Sequence, residues 1–291
     1  RIVYVNYIVW NDKTHLLGLW ILRNIMADSV YISSNLNSTQ LEFMKLLDEY
    51  EIDIFRFEEI EQKINRSFSN LNEVLENLVH KQLISRIERG KFCKVNFRNE
   101  FVIGTFVTKN GVVAYWSALN LHGLTEQFPN TVFIQTTHKK NDKVIFGIDY
   151  KFVKISESKR TGIIKEGYGS HSYAMTDVEK TIVDCFDLPH YSGGYAELIR
   201  AFANAKLRGE RMINYCNAVN NMAATKRIGY LAEILDKKGM KSFIRVAKEQ
   251  VTQTYNPIDP LGADTGKFNA EWRLRMNISD EEILDITNKQ Y

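Results

Sequence analysis

The chain has 291 residues, enough for two domains or for one domain with an appendage. Its 44% hydrophobic and 25% charged residues are the balance of an ordinary globular protein. Four prolines and 16 glycines exclude a Pro-rich linker and Gly-rich disorder, and a net charge of +3 selects no partner, so any nucleic-acid footprint must lie in how charge is distributed.

Residues 1–25 are apolar and aromatic. The uncharged stretch Ile2–Asn11 is too short to span a bilayer, and Asp12, Lys13 and Arg23 interrupt the rest. No small-residue cleavage site follows a basic region, so a signal peptide is a poor fit. Two readings stand ahead of a membrane-associated segment. The stretch is a strand and helix packed on the body, or it precedes a natural start at Met26. The polar stretch Ser33–Gln40, read as a free lead-in to the first helix, favours the second.

From Leu41 the pattern is helical: Phe43, Leu46, Leu47 and Tyr50 share one face. A short helix follows near Phe57–Ile64. Ser69 reads as the N-cap of a third helix, which carries Leu71, Val74, Leu75, Leu78 and Val79 on one side. Ser85–Phe97 alternates around Arg89-Gly90, a hairpin signal. Helix, helix, turn, helix and basic hairpin is the order of a winged helix-turn-helix, whose third helix enters a major groove while the hairpin reaches a flanking phosphate or minor groove.

Charge follows this division. Residues 41–62 are mainly acidic, whereas residues 63–98 hold eight basic side chains against three acidic ones. Phosphate neutralisation gives affinity, so the second segment is the expected DNA face. Arg66, Ser67, Ser69, Asn70 and Asn72 would reach base edges, and Arg86, Arg89, Lys91 and Lys94 in the wing would meet phosphate. The plainer alternatives are a solvated surface or a protein-interaction module.

Beyond it, Phe101–Val107 reads as a strand, closed by Asn110-Gly111. Val112–Leu119 reads as the start of a helix. Thr131–Thr137, Lys143–Gly147 and Phe152–Ile155 are strand-like, with a turn at Asn141-Asp142. Residues 172–188 turn helical, and helices follow at Tyr195–Ala205, Glu210–Ala223, Ala224–Leu235 and Met240–Lys248. Breakers at Asn256–Pro260 and Gly262–Gly266 mark a tail, with a closing helix at Asp280–Thr287. The fold class expected is α+β, a winged helix-turn-helix followed by a mixed α/β domain with a helical end. Its segments are an N-terminal extension (1–36), the DNA-binding domain (37–100), a second domain (101–254) and a tail (255–291).

Ala114–Thr131 (AYWSALNLHGLTEQFPNT), Thr176–Asp187 (TDVEKTIVDCFD), Ser192-Gly193-Gly194 and Lys226–Leu231 (KRIGYL) resemble, in order and spacing, the bacterial AbiEi antitoxin family. The resemblance covers about residues 37–250. It implies a cytoplasmic two-domain antitoxin of a type IV toxin–antitoxin, or abortive-infection, system. Its winged helix would bind inverted repeats in the operon's own promoter and repress it. Its second domain would neutralise an AbiEii-like nucleotidyltransferase toxin, without requiring a stable complex. With no spanning stretch and only weak catalytic or metal signals among the residues, the expectation is no enzymatic activity, no cofactor and no membrane association.

The residues leave two rivals open: a stand-alone transcriptional regulator, and a metal-dependent nuclease or transferase. For the second, Glu179, Asp184 and Asp187 share one helix and could hold Mg²⁺. The simpler reading is dipole stabilisation by Asp177 and Glu179 with Thr176 as cap, which spacing alone does not displace. Cys93, Cys185 and Cys216 are widely spaced and form no zinc motif or disulfide framework. No HExxH and no GxSxG appears. Residues 200–250 carry eleven basic side chains against four acidic ones. They are a solvated face, or an electrostatic surface for an acidic toxin or nucleic acid built on Lys226, Arg227, Lys237, Lys238 and Lys241.

Overall fold

The computed structural model describes residues 35–288, so the expectations for residues 1–25 and for Met26 lie outside the described residues. The chain divides between Phe97 and Arg98 into two compact units. Both mix helices with sheet, and the fold class is α+β.

The first unit opens with α1 (Ser38–Glu49), where Asn37 and Gln40 form a reciprocal capping box. The polar stretch before Leu41 is therefore not a free lead-in, because it supplies the cap and first turn. A strand not expected from the pattern, β1 (Ile54–Arg56), leads into α2 (Phe57–Lys63), α3 (Leu71–His80), β2 (Ile84–Glu88) and β3 (Lys91–Lys94). Asn70, one residue beyond Ser69, is the cap of α3. The strands pair antiparallel in the order β1-β3-β2, and Gly90 at φ +71° makes the β2–β3 turn. Leu75 and Leu78 of α3 join Phe43, Leu47, Phe55 and Ile60 in one core. Phe43 meets Phe55 edge-on at 5.9 Å.

The second unit is built on a mixed six-stranded sheet. Its strands are β4 (Val112–Val113), β5 (Thr131–Thr136), β6 (Lys143–Ile145), β7 (Ile148–Lys154), β8 (Ile163–Glu166) and β9 (Tyr173–Thr176), in the order β6-β7-β5-β4-β9-β8. The run expected as a strand at Phe101–Val107 is instead a helix, α4 (Glu100–Phe106), because Asn99 caps it. A short apolar run carries no period that separates the two choices. Gly104 lets α4 sit on the sheet: a Cβ there would lie 2.8 Å from Tyr150 and 2.9 Å from Ile134. The run from Val112 is likewise not one helix but β4 followed by α5 (Tyr115–Leu121).

Phe133 and Val153 alternate to the other face and join one core with α6 (Val178–Asp187), α7 (Tyr195–Asn204), α8 (Gly209–Val219), α9 (Met222–Ile234) and α10 (Lys241–Gln250). Residues 255–288, expected as a tail, are part of this body. β10 (Asn256–Pro257), β11 (Lys267–Asn269) and β12 (Leu274–Met276) form a small sheet, followed by α11 (Asp280–Asn288). Trp272, Leu274 and Ile283 are fully buried in the helical core. Among the described residues no helix is long and apolar enough to cross a membrane.

Candidate functional site

In the first unit α3 turns Leu71, Val74, Leu75 and Leu78 inward, which leaves Asn72, Glu73, Glu76 and His80 exposed. The β2–β3 hairpin stands beside this outer face. Between them runs a cleft of about 890 Å³ lined by Phe57, Glu58, Asn72, Glu76, Arg86 and Arg89. One wall of the cleft is thus the outer face of α3 and the other is the β2–β3 hairpin.

The nine expected DNA contacts have different surroundings. Asn72, Arg86 and Arg89 line the cleft. Arg89 is exposed at the hairpin tip and makes no ion pair among the described residues. Arg86 pairs with Glu76 and places its guanidinium 5.3 Å above the Phe92 ring. Ser67 and Ser69 are exposed in the loop before α3, and Arg66 pairs with Glu42 at 3.1 Å. Asn70 donates to Glu73 Oε2 at 2.6 Å, besides capping the helix. Lys91 is half-buried against Glu88 at 2.7 Å. Lys94 is tied to Asp48 at 2.7 Å and Asp53 at 3.0 Å. Burial opposes its charge, yet the two carboxylates outweigh burial and hold its pKa above the ordinary lysine value. Glu76 and Phe57 were missed. Glu76 lies four residues from Asn72, on the same helical face, and the periodicity alone could have placed it.

In the second unit the sequence runs meet inside the body. His122 donates from Nε2 to the Thr176 carbonyl at 2.8 Å, joining the first run to the second. Gly193 packs under Trp116, where a Cβ would come within 2.6 Å of the indole. Asp177, not Thr176, caps α6, accepting from the Lys180 backbone N–H at 2.9 Å. Glu179 is buried between Arg208 at 2.9 Å and Arg211 at 3.2 Å. Burial pushes its carboxyl up, but the bond from Arg208 and the two guanidinium charges hold it below the ordinary glutamate value.

Asp184 pairs with the fully buried Lys180, and burial pushes its pKa up to about 6. Asp187 holds Lys159 at 2.6 Å and Asn221 at 2.8 Å. Each carboxylate of this helix thus has its own structural partner. Among the described residues no group of His, Cys, Asp or Glu is arranged to hold a metal ion.

The expected basic surface of residues 200–250 needs correction. Lys226 and Arg227 are buried, because they anchor the C-terminal segment. Lys226 donates to the Thr254 carbonyl at 2.6 Å and to Asn256 Oδ1 at 3.2 Å, and Arg227 donates to the Pro257 carbonyl at 2.9 Å. Lys237 is half-buried and donates to the Ala203 carbonyl. Lys238 and Lys241 are exposed, as is Arg245.

No protein-family profile and no curated protein matches the chain. A solved structure does. The RV2827C protein from Mycobacterium tuberculosis has a TM-score of 0.60 to this chain at 12% identity, over 87% of this chain and 96% of that one. The likeness is one of fold, and it spans both units.

Proposed function

We propose that the protein is a cytoplasmic DNA-binding antitoxin of the AbiEi type. Residues 35–97 act as a winged helix-turn-helix that represses its own operon at inverted repeats. The second unit counters an AbiEii-like nucleotidyltransferase toxin. The observation that carries the DNA part is the cleft between the outer face of α3 and the β2–β3 hairpin, with Asn72 on one wall and Arg86 and Arg89 on the other. The chain order of the unit and the strand order β1-β3-β2 support the same reading.

Support for the antitoxin part comes from the second unit. The runs that resemble the AbiEi family make the contacts that hold its layers together, namely His122 to Thr176, Gly193 under Trp116, and Lys226 and Arg227 to the C-terminal segment. Contacts of this kind are what a shared fold requires, and the antitoxin function is carried to this chain by the resemblance of those runs. The test has two arms. Footprinting of the operon's upstream region should protect an inverted repeat, with protection lost in Arg89→Ala combined with Asn72→Ala. Co-expression with the adjacent nucleotidyltransferase-like gene should restore growth. A neighbouring gene of another kind, or no protected repeat, would reject the corresponding arm.

A further inference from the structure

The polar side chains around the proposed DNA face are held by carboxylates. Glu42 takes Arg66, Glu73 takes Asn70, Glu76 takes Arg86, Glu88 takes Lys91, and Asp48 with Asp53 takes Lys94. The excess of positive charge in residues 63–98 is therefore largely compensated in space by acids of the same unit. Glu76 differs from the others in position. It projects from α3 into the cleft itself and crosses to Arg86 on β2. Both side chains remain substantially exposed, at 50% and 40%, so the pair is a surface one and can exchange partners.

We infer that Glu76 is a specificity-determining residue of the DNA interface, an internal stand-in for phosphate that occupies Arg86 until the correct duplex is seated. This rests on the DNA-binding reading. A phosphate must displace the Glu76 carboxylate to reach Arg86, and it does so beside a negative charge. Random sequence offers phosphate but not a matched set of base edges, so it gains little. A matching site adds base-edge contacts that offset the exchange, including those Glu76 can accept from a cytosine amino group. The acid thus lowers affinity for all DNA, and lowers it most for DNA that supplies no base contacts.

The test measures the binding of the full chain to a random-sequence duplex between ~50 and ~200 mM salt, where phosphate contacts dominate. Glu76→Gln keeps the side-chain shape and frees Arg86. It should raise random-sequence affinity about 5- to 10-fold at the low end and steepen the salt slope by about one unit. Glu249→Gln makes the same change in net charge on the second unit and should alter neither. Equal effects of the two variants would mean that only net charge matters, and would overturn the assignment. Wild-type binding that is weakened by Arg89→Ala but unchanged by Glu76→Gln would overturn the role of Glu76 and leave the DNA reading intact. No binding by wild type or by Glu76→Gln would remove both.

Discussion

Tyr215 donates its hydroxyl to Asp177 at 2.6 Å, and so ties α8 to the residue that caps α6. Arg211 reaches the same carboxylate at 3.1 Å. One buried side chain therefore ends a helix, fixes a neighbouring helix and neutralises a cation. Asp177→Ala should destabilise the second unit by about 2 kcal/mol, the sum of a lost cap and an orphaned tyrosine hydroxyl. Asp177→Asn keeps the cap acceptor and should recover about half of that loss. Thermal unfolding of both variants checks this, and equal melting temperatures for alanine and wild type would remove Asp177 from the role.

The same helix carries two acids with opposite pH signatures. The Glu179 carboxyl is held below the ordinary value of 4.5, so its stabilisation is present above that pH and is lost as pH falls through its folded pKa. Asp184 has the reverse sign: burial raises it from 3.8 to about 6. The folded chain binds this proton first, so acidification from about pH 6 to about pH 4 favours the folded state at this site. Denaturant unfolding across pH 3 to 7 should show the Asp184 limb vanish in Asp184→Asn and the Glu179 limb shrink in Glu179→Gln. The reverse assignment of limbs would show the two environments to be misread.

The Lys180–Asp184 pair has both side chains almost completely out of water, at 0% and 3% exposure, and Asp184 Oδ2 has no hydrogen-bond partner among the described residues. Removing charge from one side alone leaves the other buried and uncompensated. Lys180→Met should cost about 3–5 kcal/mol at neutral pH, where it leaves the Asp184 carboxylate buried without its counter-charge, and Asp184→Leu should cost less, because burial already favours the neutral form of that acid. The double variant should be neutral or more stable than wild type by about 1–4 kcal/mol, because both desolvation penalties disappear together. A double-mutant cycle reads the coupling directly. A double variant as unstable as the sum of the singles would argue that the pair gives net stability.

Gly229 lies inside α9, where alanine would ordinarily add about 1 kcal/mol to helix stability. Here a Cβ would lie 2.2 Å from the Trp272 ring, which is fully buried and donates its indole N–H to Glu233 at 2.7 Å. Gly229→Ala should therefore destabilise despite the propensity gain. Trp272→Ala should cost about 3–5 kcal/mol, as expected for a large buried aromatic. Combining the two should cost less than their sum, because the truncated tryptophan makes room for the new methyl. Chemical denaturation of the three variants decides the matter, and strict additivity would mean that the two residues do not share a contact.

That packing shows which parts of the fold a sequence carries locally. The faces of α1 and α3 and the Arg89-Gly90 hairpin were legible, because period and turn chemistry act over a few residues. β1 was not legible, since three residues, Ile54–Arg56, gain strand character only from pairing with β3. Trp272 lies 43 residues from Gly229 in sequence, across a stretch of breakers that reads as a tail until the contact closes it. Lys226 and Arg227 look like surface charge for the same reason, because the carbonyls of Thr254 and Pro257 that hold them arrive from a distant segment. In the candidate interface the sequence marked the cations but not their partners. The contacts of Arg66 with Glu42 and of Lys94 with Asp48 and Asp53 cross between elements of the first unit.

The burial of Lys226 and Arg227 narrows any electrostatic contact with a toxin or nucleic acid to Lys238, Lys241 and Arg245. Lys241 and Arg245 are one helical turn apart on α10, Lys238 precedes them, and all three are exposed without an ion pair among the described residues. Reversing all three to glutamate should leave the melting temperature nearly unchanged, because exposed charge changes usually stay within about ±0.5 kcal/mol each. Under the proposed antitoxin function it should abolish rescue of cells from the toxin. Lys237 must be left out of the set. Its ammonium donates to the Ala203 carbonyl and lies 5.8 Å from the Phe202 ring, so Lys237→Glu would disturb the core rather than the surface. Lys237→Glu alone should therefore lower the melting temperature, which separates a packing effect from a charge effect. A folded triple variant that still rescues growth would show these three to be a solvated face and move the neutralising surface elsewhere on the second unit.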